Sequence, residues 1–251
     1  MGMERALSLD SKTNWDLDSQ RKFWDAWDTR YLQSSTIGAE ALRRGETVLS
    51  LLQSCAFDSP RILEIGCGNG WLAEKLIKLG PVTGVDIADS AIEEARKRVP
   101  LGTFFAGDAL SLNLPSEAFD AVLTLETFSH VPSQPLFVEM MARVLSKNGV
   151  LILTTQNRTV YSRRRNVRPP AEGQIRHWVT LHELRGLVAP HFEVLRLFTI
   201  QPSGDRGFLQ VVNSGKINRA LSAIFSKASL EGFKERRGWG QTIVLLARKR
   251  S

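Results

Sequence analysis

Cysteine is scarce: Cys55 and Cys67 are the only two in 251 residues. Two thiols make neither a disulfide framework nor a metal-ligand cluster, so a reducing compartment is expected. Glu4, Arg5 and Asp10 stand where a secretory leader would carry its apolar run. No apolar stretch reaches the roughly 18 residues a membrane-crossing helix requires. The expected location is the cytoplasm, without integral membrane association. Internal repeats and long low-complexity tracts are also missing. Charge is tilted rather than absent: 33 Lys and Arg against 26 Asp and Glu leave a formal +7. That surplus suits an anionic small molecule, a nucleic acid or an anionic lipid, and much of it lies after residue 157.

Apolar residues at 43% and charged residues at 24% are ordinary for a soluble globular chain, and the length suits one α/β domain. Residues 1–14 are polar and read as loose. Residues 15–52 look helical, with Phe23, Trp24, Trp27 and Tyr31 at near-helical spacing. Short apolar runs then alternate with amphipathic segments. Strands are expected at 61–65, 82–86, 103–106, 119–125 and 150–155. Helices are expected at 71–79, from an Asp89 or Ser90 cap to residue 99, and at 133–145. Beyond 156 come a basic loop (157–174), a helix (180–188), a strand (192–200), a mixed segment (201–239) and a last strand (241–247). The rhythm implies a doubly wound, mostly parallel seven-stranded sheet with an insertion before the last strand.

The run at 62–65 enters Gly66-Cys67-Gly68-Asn69-Gly70, and a helix follows at once. Glycines there let the backbone turn tightly and approach a ligand at the carboxyl end of the strand. A tight turn without ligand is the bland alternative. Asp86 closes the next strand, where a carboxylate can accept from both ribose hydroxyls of an adenosine cofactor. Asp108 follows the third strand, within reach of an adenine amine. The spacing GxGxG, with Trp71 in the place of a third glycine, disfavours the dinucleotide fingerprint GxGxxG.

The stretches ILEIGCGNGWLAEKL (62–76), VTGVDIADSAIEEAR (82–96), 104–131 and 138–155 resemble the successive motifs of class I S-adenosylmethionine-dependent methyltransferases, in particular the small-molecule group with ubiquinone-pathway and natural-product enzymes. The resemblance holds in register over about 60–156. It implies S-adenosylmethionine as cofactor and S-adenosylhomocysteine as product. It further implies that Gly66, Cys67 and Gly68 lie under the methionine part, that Glu64 orients it, and that Asp86 and Ile87 take the ribose. Asp108 and Ala109 would flank adenine, and Leu125 and Glu126 the sulfonium. The single domain then divides into a helical lid (15–52), a cofactor core (60–156), a substrate side (157–239) and a last strand with a basic tail (240–251).

In-line methyl transfer draws on alignment, for which roughly 7–11 kcal/mol is available, and needs a base only for a protonated nucleophile. Leu125-Glu126-Thr127-Phe128 is neither the Asn/Asp-Pro-Pro-aromatic motif of amide and adenine N-methylases nor the Pro-Cys of cytosine C5 enzymes. No Asp/Asn ligand set for Mg²⁺ is evident, so no metal is expected. His130 and His177 are the candidate proton acceptors, each with a loop role as alternative; His182 and His191 read as structural.

On the acceptor side, the aromatic helix is core, lid or both, with Trp27 or Tyr31 facing the pocket. The loop bearing Tyr161, Arg163 and Arg165 suggests a phosphorylated, carboxylated or sugar-nucleotide acceptor, since arginine matches such groups bidentately; a solvated face is the alternative. Ile217, Ala220, Leu221, Ile224, Phe225 and Ala228 form an apolar stripe suited to a substrate cap, a homodimer contact or an interfacial helix. Competing readings are an RNA-directed methyltransferase, disfavoured because the basic residues are not interleaved with aromatics, and a catalytically silent cofactor binder.

Overall fold

The computed structural model describes residues 17–32, backbone only from 28, and 37–250. Two helices, α1 (Leu17–Leu32) and α2 (Ala39–Ser54), precede β1 (Ile62–Ile65), α3 (Ala73–Leu76), β2 (Val82–Asp86), α4 (Asp89–Arg98) and β3 (Thr103–Ala106). Then come β4 (Phe119–Leu125), α5 (Gln134–Val144), β5 (Leu145–Gln156), α6 (Arg158–Tyr161), α7 (Leu181–Val188) and β6 (Phe192–Pro202). The helices α8 (Phe208–Val212), α9 (Gly215–Leu221) and α10 (Lys227–Arg236) lead to β7 (Gly240–Lys249). The seven strands lie in the order β3-β2-β1-β4-β5-β7-β6. β1 to β5 run parallel, while β7 is antiparallel to both β5 and β6.

Apolar alternation along the central strands builds two cores. Ile62, Ala121, Leu123, Ile152 and Val244 pack with Val48, Leu51, Leu72, Leu76 and Ile92 from α2, α3 and α4. Leu63, Ile65, Val122, Leu151, Leu153 and Leu245 pack with Phe137, Met141, Leu184 and Val188 from α5 and α7 on the other face. Both faces are covered, so the strands read as nearly continuous apolar runs. Strand order reverses between β1 and β4, which opens a crevice at their carboxyl ends.

At the opposite end of those two strands, Arg61 Nε and Nη2 donate to Asp120 Oδ2 and Oδ1 at 3.0 and 2.8 Å, and Arg61 N adds a third bond at 2.9 Å. Those bonds hold the Asp120 carboxyl down at about 2.

Three local expectations change. The helix expected at 71–79 is regular only over Ala73–Leu76, with turns on either side. β5 begins at Leu145, which pairs with Phe119; the next pair is Ala121 with Val150, so residues 146–149 bulge out. Asn148 at φ 62° supports that bulge, a left-handed conformation asparagine tolerates. Neither Asp89 nor Ser90 caps α4. Its N-cap is Ala88, and Asp25 of α1 accepts from Ser90 N and Oγ at 3.2 and 2.9 Å. The cap comes from another helix, so it also fastens α1 against α4.

Candidate active site

Each strand of the crevice delivers a group to one cavity of about 820 Å³. From β1 the chain crosses it through Gly66 and Gly68, from β2 through Asp86 and Ile87, and beyond β3 through Gly107, Asp108 and Ala109. Leu125, Glu126 and Thr127 close it from β4. A Cβ on Gly66 (φ 75°) would lie 1.9 Å from Thr127 Oγ1, so only glycine lets β4 pass this close. A Cβ on Gly68 would meet nothing within 4 Å, because the turn fronts open space.

Asp86 is fixed by Gly68 N at 2.8 Å and Ala88 N at 3.0 Å. A carboxylate has about four acceptor positions, so two such bonds leave capacity for a ligand. Burial raises its pKa, against those backbone donors. Asp108 is similarly held by Leu110 N at 3.2 Å and Ser111 Oγ at 2.9 Å. Glu64 is 2% exposed beneath the turn and does not line the cavity; its Oε2 lacks a hydrogen-bond partner. Burial, then the Asp86 charge, push its pKa well up. Cys67 points into the core, where its Sγ would crowd a Cβ on Gly84 at 2.9 Å. Of the turn's residues named from the sequence, Gly66 and Gly68 face the cavity and Cys67 does not.

Glu126 has φ 59°, a left-handed backbone that costs a non-glycine residue about 1–2 kcal/mol. Its Oε1 is buried without a hydrogen bond and sits 3.9 Å from Arg44 Nε of α2. Burial raises its pKa, with Arg44 opposing. Asn69 Oδ1 is also buried on the cavity side without a partner. A glycine cradle, a part-satisfied carboxylate at the second strand end and these orphaned oxygens fit an adenosyl cofactor bearing a cationic sulfonium.

His130 lines the cavity, with Nδ1 2.7 Å from the carbonyl of Ile175. A carbonyl can only accept, so Nδ1 carries the proton and Nε2 is left as acceptor. Burial pulls its pKa down to about 4. The indole of Trp24 meets it edge-on at 4.8 Å between centroids. His177 is outside the cavity lining; its backbone N donates to Ser129 O and its carbonyl accepts from Gln134 Nε2. Its place is in a strap that holds the segment after β4.

The structure sets the two arginines named from the sequence apart from the cavity. Arg163 turns away to the Thr159 carbonyl, with its guanidinium 5.6 Å from the Phe208 ring. Arg165 Nη2 reaches Gln210 at 3.3 Å. Neither lines the cavity, whereas Arg164, Arg168 and Arg176 do, as does Tyr161. Arg164 lies over Tyr161 and Arg176 over Trp178, at 5.2 and 5.3 Å. Burial lowers the Arg176 pKa and raises that of Tyr161. From α1, Gln20, Trp24 and Trp27 complete the wall. The side chain of Tyr31 lies outside the described residues. Trp71 also lines the cavity, and its ring occupies the space a side chain on Gly45 of α2 would need.

Residues 63–153 match the family described as a methyltransferase domain. With its seven-stranded sheet and its glycine turn at the switch point, the chain is similar in this region to class I S-adenosylmethionine-dependent methyltransferase domains. It is 40% identical over 110 residues to a ubiquinone biosynthesis O-methyltransferase of Azorhizobium caulinodans, covering 41% of this chain and 42% of that one. A mitochondrial ubiquinone biosynthesis O-methyltransferase of Schizosaccharomyces pombe is 31% identical over 161 residues, 61% of this chain and 54% of that one. The chain thus spans about half the length, or less, of these curated relatives. A solved methyltransferase of Thermotoga maritima, described as a possible histamine N-methyltransferase, superposes with a TM-score of 0.61 at 22% identity, covering 92% of this chain and all of that one.

Proposed function

We propose that this protein transfers the methyl group of S-adenosylmethionine to an oxygen or nitrogen of a small, negatively charged acceptor. One observation carries the reading: among the cavity's lining residues, the carboxylates Asp86 and Asp108 stand at the end of β2 and after β3 on one side of the switch point, and Arg164, Arg168 and Arg176 follow β5 on the other, with the Glu126–Arg44 pair between. A sulfonium cation suits the first side and a phosphate, carboxylate or sugar-nucleotide the second.

When bound, the cofactor supplies an electrophilic methyl group. Gly66 and Gly68 leave room for its methionine part, Asp86 accepts from the ribose hydroxyls, and Asp108 with Ala109 borders the adenine. Arg164 and Arg176 orient the acceptor by its anionic group. His130 receives the acceptor's proton at Nε2, held in one tautomer by its bond to Ile175. A base of pKa about 4 is weak, so it suits an acceptor whose own proton is acidic, and positioning carries the rest. Trp24 and Trp27 of α1 exclude water above the cavity. The reading uses no metal ion.

Calorimetry with S-adenosylmethionine tests the donor half. Binding is expected, weakened about 10–100-fold in Asp86→Asn, the loss of charge-assisted bonds worth roughly 1.5–3 kcal/mol. No binding by the wild type removes the enzyme reading. Methyl-label transfer to fractionated cell extracts, read by mass spectrometry, tests the acceptor half. A labelled acceptor without any anionic group refutes the arginine assignment.

A further inference from the structure

The helices between β6 and β7 display a surface that methyl transfer does not use. Among the described residues, seven of the thirteen exposed large apolar side chains fall between Phe208 and Phe233. No residue of α9 is buried, and every residue from 219 to 229 is exposed. Helical hydrogen bonding runs on past α9, since Ile224 N and Phe225 N both donate to Leu221 O. Ile217, Leu221, Ile224 and Phe225 therefore form one stripe at helical spacing. Such a stripe would ordinarily face a core, yet Ile224 is 77% exposed and Phe225 50%.

The charge around the stripe selects its occupant. Lys216, Arg219 and Lys227 flank it, and the end of α10 adds the exposed Arg236 and Arg237. The two carboxylates between residues 208 and 237 are Glu231 and Glu235; both lie against Arg43 of α2, at 3.8 and 2.5 Å, and Glu231 also stands 3.9 Å from the exposed Lys227 Nζ, which leaves the cations in excess. What remains outward is apolar and positive. Two copies meeting about a twofold axis would bring this same cation-rich patch of each against that of the other, with no matching set of carboxylates. An anionic lipid surface meets both features at once. No described helix is long and apolar enough to cross a membrane, so the contact lies along the interface. The corner is also held firmly, by Lys234 Nζ on Asn218 Oδ1 at 2.9 Å and by the Arg43–Glu235 pair.

We propose that the α9–α10 corner docks on an anionic lipid surface, placing Ile224 and Phe225 among the headgroups with Lys216, Arg219 and Lys227 on the phosphates. The same corner adjoins the arginine loop, because Phe208 packs on Trp239 at 5.6 Å and carries the Arg163 guanidinium on its ring.

Sedimentation of the full chain with vesicles decides the matter, using phosphatidylcholine alone or in equal parts with phosphatidylglycerol. Binding is expected to the mixed vesicles and not to the neutral ones. Ile224→Ser/Phe225→Ser and, separately, Lys216→Glu/Lys227→Glu should each weaken it at least about tenfold. None of these residues lines the cavity, so S-adenosylmethionine affinity should stay unchanged and certify folding. Wild-type chain that ignores both vesicle types overturns the proposal, as does equal binding to both. Wild-type-like sedimentation of both variants overturns it as well. A dimer that Ile224→Ser/Phe225→Ser dissociates, without vesicle binding, assigns the face to a second copy instead.

Discussion

Alanine at Gly66 is penalised twice. The backbone there sits at φ 75°, which costs a side chain about 1–2 kcal/mol. The new Cβ would also stand 1.9 Å from Thr127 Oγ1 and 2.9 Å from Thr127 Cβ, so the end of β4 must shift. Forced overpacking of that kind costs about 1–3 kcal/mol. Together the loss should be roughly 2–5 kcal/mol in urea denaturation, with weaker donor binding because Glu126 moves with Thr127. Thr127→Ala on the same background removes Oγ1 but leaves Cβ, so it should restore only part of the overpacking component. A double-mutant cycle should read a coupling of about 1–2 kcal/mol, with the left-handed penalty still unpaid. Gly66→Ala within about 0.5 kcal/mol of wild type, or strict additivity in the cycle, would refute the crowding argument.

Arg164→Ala and Arg176→Ala should each raise the acceptor KM about tenfold or more without changing donor affinity, while Arg163→Ala and Arg165→Ala stay within about twofold, as steady-state kinetics will read. His130 has its pKa lowered to about 4. The unfolded chain, with an ordinary pKa near 6.5, therefore binds more protons between these values, and stability should fall as pH drops through that window. The loss is up to about 3 kcal/mol, should be absent in His130→Asn, and is read from urea midpoints against pH. Asp25→Ala should cost about 1 kcal/mol as a lost cap and speed donor dissociation in stopped flow; unchanged kinetics would separate α1 from closure of the cavity.

The inner strands at the donor end were legible because they are buried on both faces, so residues 82–86 and 119–125 stand out as apolar runs. The edge strand 103–106, with Phe105 exposed, is marked instead by its short apolar run before Gly107 and Asp108. Asp86, Asp108 and the glycines follow from their places at strand ends. What escaped depended on distant partners or aperiodic backbone. The cap on Ser90 comes from Asp25, 65 positions away, and an apparently suitable Asp89 beside it drew the local reading. Within three adjacent arginines, the middle one faces the cavity and its neighbours do not. No period governs a loop, and only the path after α6 decides which way each side chain turns. Glu126 was placed at the site from the resemblance, but its left-handed backbone and the nearby Arg44 carry no sequence signal.

The Arg61–Asp120 clamp lies at the end of β1 and β4 that faces away from the cavity. Register between the two central strands is thus locked from behind, leaving the rim residues free of that duty. Loop residues at the mouth can be exchanged singly, and the scaffold keeps its alignment while the range of acceptors drifts. A lineage built this way can change what it modifies long before it must change how it folds.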